Sequence, residues 1–118
     1  MIKFKPEVDA NDFRFLNQKI LFIFIEFVKW AEDRGLPVLV TSMKTDKVSG
    51  RVSTTHEEGR AIDISIKGWD VDSIDNIVFD LNKKLANVGA ISKKDGISRA
   101  IVVHNAGSGM HFHLQSRY

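Results

Sequence analysis

The chain has no cysteine. That excludes disulfide staples and every thiolate metal centre, so a metal here must be held by imidazole nitrogen and carboxylate oxygen. The lack also fits synthesis in a reducing cytoplasm. Net charge is nearly absent, with 17 basic against 15 acidic side chains and a formal balance of +2. The basic residues are scattered and form no stripe, which argues against nucleic acid as a partner. Long hydrophobic runs are missing too. The longest, Ile20 to Ile25, is closed by Lys19 and Glu26 and falls far short of the roughly 20 residues that cross a bilayer. The opening Met1-Ile2-Lys3-Phe4-Lys5-Pro6-Glu7 has no apolar core before a small-residue cleavage site, so neither a secretion leader nor a membrane span is expected. Repeats, low-complexity tracts and interdomain linkers are also lacking, and no feature specifies an oligomeric state.

What remains is a soluble-type composition of 43% hydrophobic and 27% charged residues over 118 positions. That is enough for one domain, residues 1–118, with one buried core. Asp9, Asn11 and Asp12 offer caps before a helical pattern of Phe13, Leu16, Ile20, Phe24, Phe27, Val28 and Ala31, which Gly35 and Pro37 stop. Leu21, Phe22, Ile23 and Ile25 make this helix apolar nearly all round, so central burial is expected. Val38 to Ser42 reads as a strand and Lys44 to Thr55 as a polar loop. Ala61 to Ile66 alternates, which puts Ile62, Ile64 and Ile66 on one face and Asp63 on the other. Asp70, Asp72 and Ser73 open a second amphipathic helix through Ile74, Ile77, Val78, Leu81 and Leu85, with Gly89 able to end it. A strand over Ala100 to Val103, a turn at Gly107-Ser108-Gly109 and a strand over Met110 to Gln115 form a terminal hairpin. The fold class expected is α+β, a small antiparallel sheet flanked by helices.

Two motifs carry chemistry. The first is His56-Glu57-Glu58-Gly59-Arg60-Ala61-Ile62-Asp63 and the second His111-Phe112-His113. Zinc takes imidazole and carboxylate, and a catalytic zinc has three protein ligands and an open position. His56, Asp63 and one histidine of the terminal pair meet that count. Gly59 permits the turn between a loop histidine and a strand aspartate. On a strand His111 and His113 share a face while Phe112 turns into the core. One of the two can bind the metal, and the other can stand beside it as a second ligand, a general acid/base or an oxyanion stabiliser. A lone histidine or aspartate would more often be a surface group or a turn cap, and the adjacent Glu57 and Glu58 are ordinarily just solvated. His104, on the neighbouring strand, lines the same region.

At these residues the sequence resembles the LAS metallopeptidases, the group named for lysostaphin, D-Ala-D-Ala peptidases and sonic hedgehog. The similarity covers Ser53 to Ser65 and Gly109 to Gln115, and the length and order of elements agree with the D-Ala-D-Ala carboxypeptidase branch. The resemblance implies a hedgehog/D-Ala-D-Ala-peptidase-like fold with Zn2+ as cofactor. It implies His56, Asp63 and His113 as metal ligands, and His111 in the place of the catalytic histidine of murein endopeptidases. Many D,D-carboxypeptidases instead carry Glu-x-x-His, in which the glutamate is the base and the histidine the ligand, and similarity to their Trp-His-aromatic segment would make His111 the third ligand in place of His113. The glutamate position is Ser108 in the His111 register and Met110 in the His113 register, neither of which is a strong base. Members of the family also place a basic side chain upstream of the first histidine. Lys44 and Arg51 are candidates, with Arg51 preferred for its planar fork.

The expected function is therefore zinc-dependent cleavage of peptidoglycan stem peptides, by carboxypeptidase or endopeptidase action. A chain without its own leader would reach a cell wall by other means, as phage lysins do. Rival readings are a non-catalytic zinc- or cell-wall-binding module, and a phage structural protein whose first helix makes contacts.

Overall fold

The computed structural model describes residues 2–43, 59–105 and 109–118. Five strands form the main sheet: β1 (Ile2–Phe4), β2 (Val38–Ser42), β3 (Ala61–Ser65), β6 (Ile101–Asn105) and β7 (Met110–Gln115), in the order β1-β2-β3-β7-β6. Helix α1 (Gln18–Glu32) precedes β2, and α2 (Val71–Lys84) follows β3. A short hairpin, β4 (Ala90–Ile91) with β5 (Ser98–Arg99), stands apart from the main sheet. The fold is α+β, as expected. Its sheet is mixed rather than purely antiparallel, because β1 runs parallel to β2 at one edge. No helix among the described residues is long and apolar enough to cross a membrane.

The long helix expected from Phe13 onward is broken in two. Asp9 caps a 3-10 helix (Ala10–Phe15) by accepting the Asn11 N–H, and the chain then extends at Leu16. Asn17 starts afresh, its side-chain oxygen taking the Ile20 N–H at 2.8 Å. The apolar period runs through the break, but an asparagine side chain competes with the helix for backbone donors and so favours a cap over an interior position. Gly59 reinforces the break. Its φ is +68°, its carbonyl accepts the Asn17 N–H, and a Cβ there would lie 2.5 Å from the Phe15 carbonyl oxygen. The missing side chain thus admits the 3-10 segment, in addition to turning the chain into β3. The second helix starts where its cap predicts, with Asp70 accepting the Ser73 N–H, and ends at Lys84, ahead of Gly89.

Strand alternation divides the sheet into two faces. Ile62, Ile64, Ile101, Phe112 and Leu114 are fully buried on one, where α1 packs on β7 and β3, and α2 packs on β6. Full burial of each such side chain contributes about 1.5–3 kcal/mol. From α1, Ile20, Ile23, Phe24, Phe27 and Ala31 enter this core, whereas Phe22 and Ile25 stay about half exposed. Central burial of the helix is therefore one-sided. Asn82 on α2 holds β6 in place. Its Oδ1 accepts the Ala100 and Ile101 N–H groups and its Nδ2 donates to the Ile101 carbonyl. The outward backbone groups at the start of β6 are satisfied in this way, which fixes where the strand lies against β7.

Glu26 joins the two helices. It is 9% exposed, with Lys84 Nζ at 2.6 Å and Lys29 Nζ at 3.8 Å. The Lys84 hydrogen bond, opposed by burial, holds its carboxyl below the ordinary value of 4.5. A depressed carboxylate stabilises the fold fully above its unfolded pKa, and that stabilisation is lost as pH falls through the folded value. Urea midpoints of the native chain and Glu26→Gln are expected to differ at about pH 7 and to converge as pH falls through the lowered folded value. A constant gap across that range would show that the pair contributes nothing through charge.

Candidate metal centre

The face of the sheet opposite the helices carries Asp63 of the first motif and both histidines of the second. Register sets this. Asp63 pairs with His113 and Ser65 with His111 across β3 and β7, while His104 pairs with His111 and Val102 with His113 across β6 and β7. Directly opposed residues of antiparallel strands share a face with Cβ atoms about 4.5–5.5 Å apart. Asp63, His104, His111 and His113 therefore converge from three adjacent strands. Phe112, between the two histidines of β7, points the other way onto Phe27 and Trp69, with ring centroids 5.2 and 4.8 Å away.

Asp63 is the hub of the group. Its Oδ1 lies 2.7 Å from His113 Nδ1 and its Oδ2 lies 3.6 Å from His111 Nε2. The His104 ring lies 4.6 Å from that of His111 and 4.9 Å from that of His113. His111 and His113 are buried, and His104 is exposed at the rim. Among the described residues, His111 Nε2 is a buried nitrogen with no hydrogen-bond partner. Leaving such an atom unmet costs about 1–3 kcal/mol, so it calls for a partner such as a water, an ion or a substrate group.

A metal ion would meet that need. One ligand atom each from Asp63, His104 and His111 lie within 4.8 Å of one another. Ligand atoms around one tetrahedral ion at 2.0–2.2 Å sit roughly 3.3 Å apart, so modest side-chain rotation closes the set. The donors, one carboxylate and two or three imidazoles, are of the kind that a first-row divalent ion takes. The group could hold a metal ion.

Of the residues singled out from sequence, Asp63, His111 and His113 are brought together. His56, Arg51, Lys44, Glu57, Glu58 and Ser108 lie outside the described residues. Met110, the other position compared with the glutamate base, is half exposed at the start of β7 on the face opposite His111. His104 gains most. The sequence places it only as a lining residue, yet it stands directly across from His111. The signal was there: a hairpin closed at Asn105 and Met110 forces 104 opposite 111. No family model, curated protein or solved structure was found to match this chain.

Proposed function

We propose that this chain is a zinc-dependent peptidase that cleaves peptidoglycan stem peptides. The observation that carries the reading is the buried, unpartnered His111 Nε2 facing the Asp63 carboxylate, with two further imidazoles on the same sheet face. The resemblance of the two motifs to LAS metallopeptidases supplies the substrate class. Zinc bound there would polarise the scissile carbonyl and lower the pKa of a bound water to about 7.

The residues divide the remaining work. Asp63 Oδ1 and His113 Nδ1 aim at each other over 2.7 Å, shorter than the roughly 3.3 Å between two ligands of one ion. They need to part only slightly to act as ligands, with His56 completing the set. His111 presents Nε2 from a buried position, suited to accepting a proton or steadying a tetrahedral oxyanion. His104, exposed at the rim, is placed to exchange protons with solvent. Arg51 would hold a substrate carboxylate. A second ligand set, Asp63 with His104 and His111, is favoured by the mutual proximity of their donor atoms. His104→Ala separates the two: stoichiometric zinc is retained in the first arrangement and lost in the second.

The activity test uses the purified full chain with zinc and peptidoglycan, products being followed by mass spectrometry. Muropeptide cleavage or D-alanine release is expected with zinc, is abolished by a chelator, returns on adding zinc back, and is absent in His113→Ala. Stoichiometric zinc without any release would leave a binding module, and no zinc at all would remove the metal reading.

A further inference from the structure

We infer that Gly109 is a positioning residue of this site: its backbone carbonyl fixes the tautomer of His111, so that Nε2 is the atom which His111 offers to the metal or the substrate. The functional consequence rests on the reading above, whereas the tautomer can be read without it.

His111 Nδ1 lies 3.3 Å from the Gly109 carbonyl oxygen. A carbonyl only accepts, so Nδ1 carries the hydrogen. A neutral imidazole has one N–H, which leaves a lone pair on Nε2, the atom buried without a partner 3.6 Å from Asp63 Oδ2. The competing tautomer would place the Nδ1 lone pair against the carbonyl lone pairs, and its Nε2–H would face Asp63 Oδ2 at 3.6 Å, beyond ordinary hydrogen-bond distance. A backbone carbonyl on the far nitrogen is a general device for orienting a working histidine.

Gly109 can aim its carbonyl this way because of its conformation. Its φ is +114°, which L side chains rarely adopt, and a Cβ added there meets nothing within 4 Å. An L-alanine would thus strain the backbone without touching a neighbour, whereas a D-alanine adopts a positive φ without that strain.

That asymmetry makes the test. The chain has no cysteine, so residues 106–118 can be joined as a synthetic peptide by ligation at Ala106, where a temporary thiol on the alanine side chain is removed after joining. The peptides carry ¹⁵N-labelled His111 and glycine, L-alanine or D-alanine at position 109. Long-range ¹H–¹⁵N correlation of the His111 ring in the full chain is read at about pH 8, above the ordinary imidazole pKa of about 6.5. Zinc affinity is measured by chelator competition. The glycine and D-alanine forms are expected to show the Nδ1–H tautomer and equal affinity. Gly109→Ala is expected to shift toward the Nε2–H tautomer and, in the ligand set that includes His111, to bind zinc about 10–100-fold more weakly. An Nε2–H tautomer in the glycine form, an unchanged pattern in Gly109→Ala, or equal loss in the D-alanine form would overturn the inference. The expected tautomer in a chain that releases no muropeptide would sink the peptidase reading and leave this one standing.

Discussion

Asp63→Asn is expected to abolish zinc binding at concentrations that saturate the native chain, a loss of more than about 100-fold, since even supporting groups around a metal are worth 10–100-fold. The substitution is nearly isosteric, so no cavity forms and the strand pairing of Asp63 with His113 is unaffected. What changes is charge and donor character. A carboxylate faces two histidines at 2.7 and 3.6 Å, and a carboxamide supplies a weaker oxygen and an unwanted N–H in its place. Metal-free stability should fall as well, by about 1.5–3 kcal/mol, the range for hydrogen bonds to charged groups. Zinc titration and urea unfolding of both proteins would check the two effects. The informative combination is loss of zinc with only that modest destabilisation. If Asp63→Asn bound zinc as tightly as the native chain, Asp63 would be a partner of His113 and nothing more. If it failed to fold, Asp63→Glu, which keeps the charge, would be expected to fold and bind zinc with reduced affinity.

Much of this arrangement is legible in the sequence because strand alternation is a local rule. His111-Phe112-His113 and Ile62-Asp63-Ile64 each state which side chains face the helices and which do not, and the buried positions of Phe112, Ile62 and Ile64 follow. What local rules omit is pairing. The contact of Asp63 with His113 spans 50 residues, and only the zinc-ligand count and the resemblance to a metallopeptidase family point to it. β1, three residues long, escapes notice because its stability comes from a parallel partner 36 positions away, Ile2 beside Val38. The break at Leu16 and Asn17 is hidden for a different reason. The apolar spacing continues across it, and only the cap made by Asn17 and the close approach of Gly59 reveal that two helices are present. His104 lies between these cases, its place fixed by hairpin register rather than by any property of histidine.

Because the candidate ligands and the core share one strand, damage to the core should reach the site, and Phe112→Ala is the sharpest instance. Phe112 is fully buried, with ring neighbours Phe27 and Trp69, and pairs across the sheet with Ile64 and Val103. Truncating such a phenylalanine costs about 3–5 kcal/mol, lost contacts and residual cavity together. That is a large share of the roughly 5–15 kcal/mol by which a domain of this kind is folded. The flanking residues are His111 and His113, so relaxation of β7 into the cavity would move both imidazoles relative to Asp63. The variant should therefore unfold at lower urea and also bind zinc more weakly. Zinc at about 100 times its dissociation constant adds about 2.7 kcal/mol to whichever chain binds it, which is less than the truncation removes. Added zinc is then expected to raise the midpoint of Phe112→Ala without restoring it to the native value. A midpoint indifferent to zinc in the native chain would argue against a metal on this face. A Phe112→Ala protein that lost stability but kept native zinc affinity would show that the site is held by the sheet's backbone pairing and not by the aromatic packing beneath it.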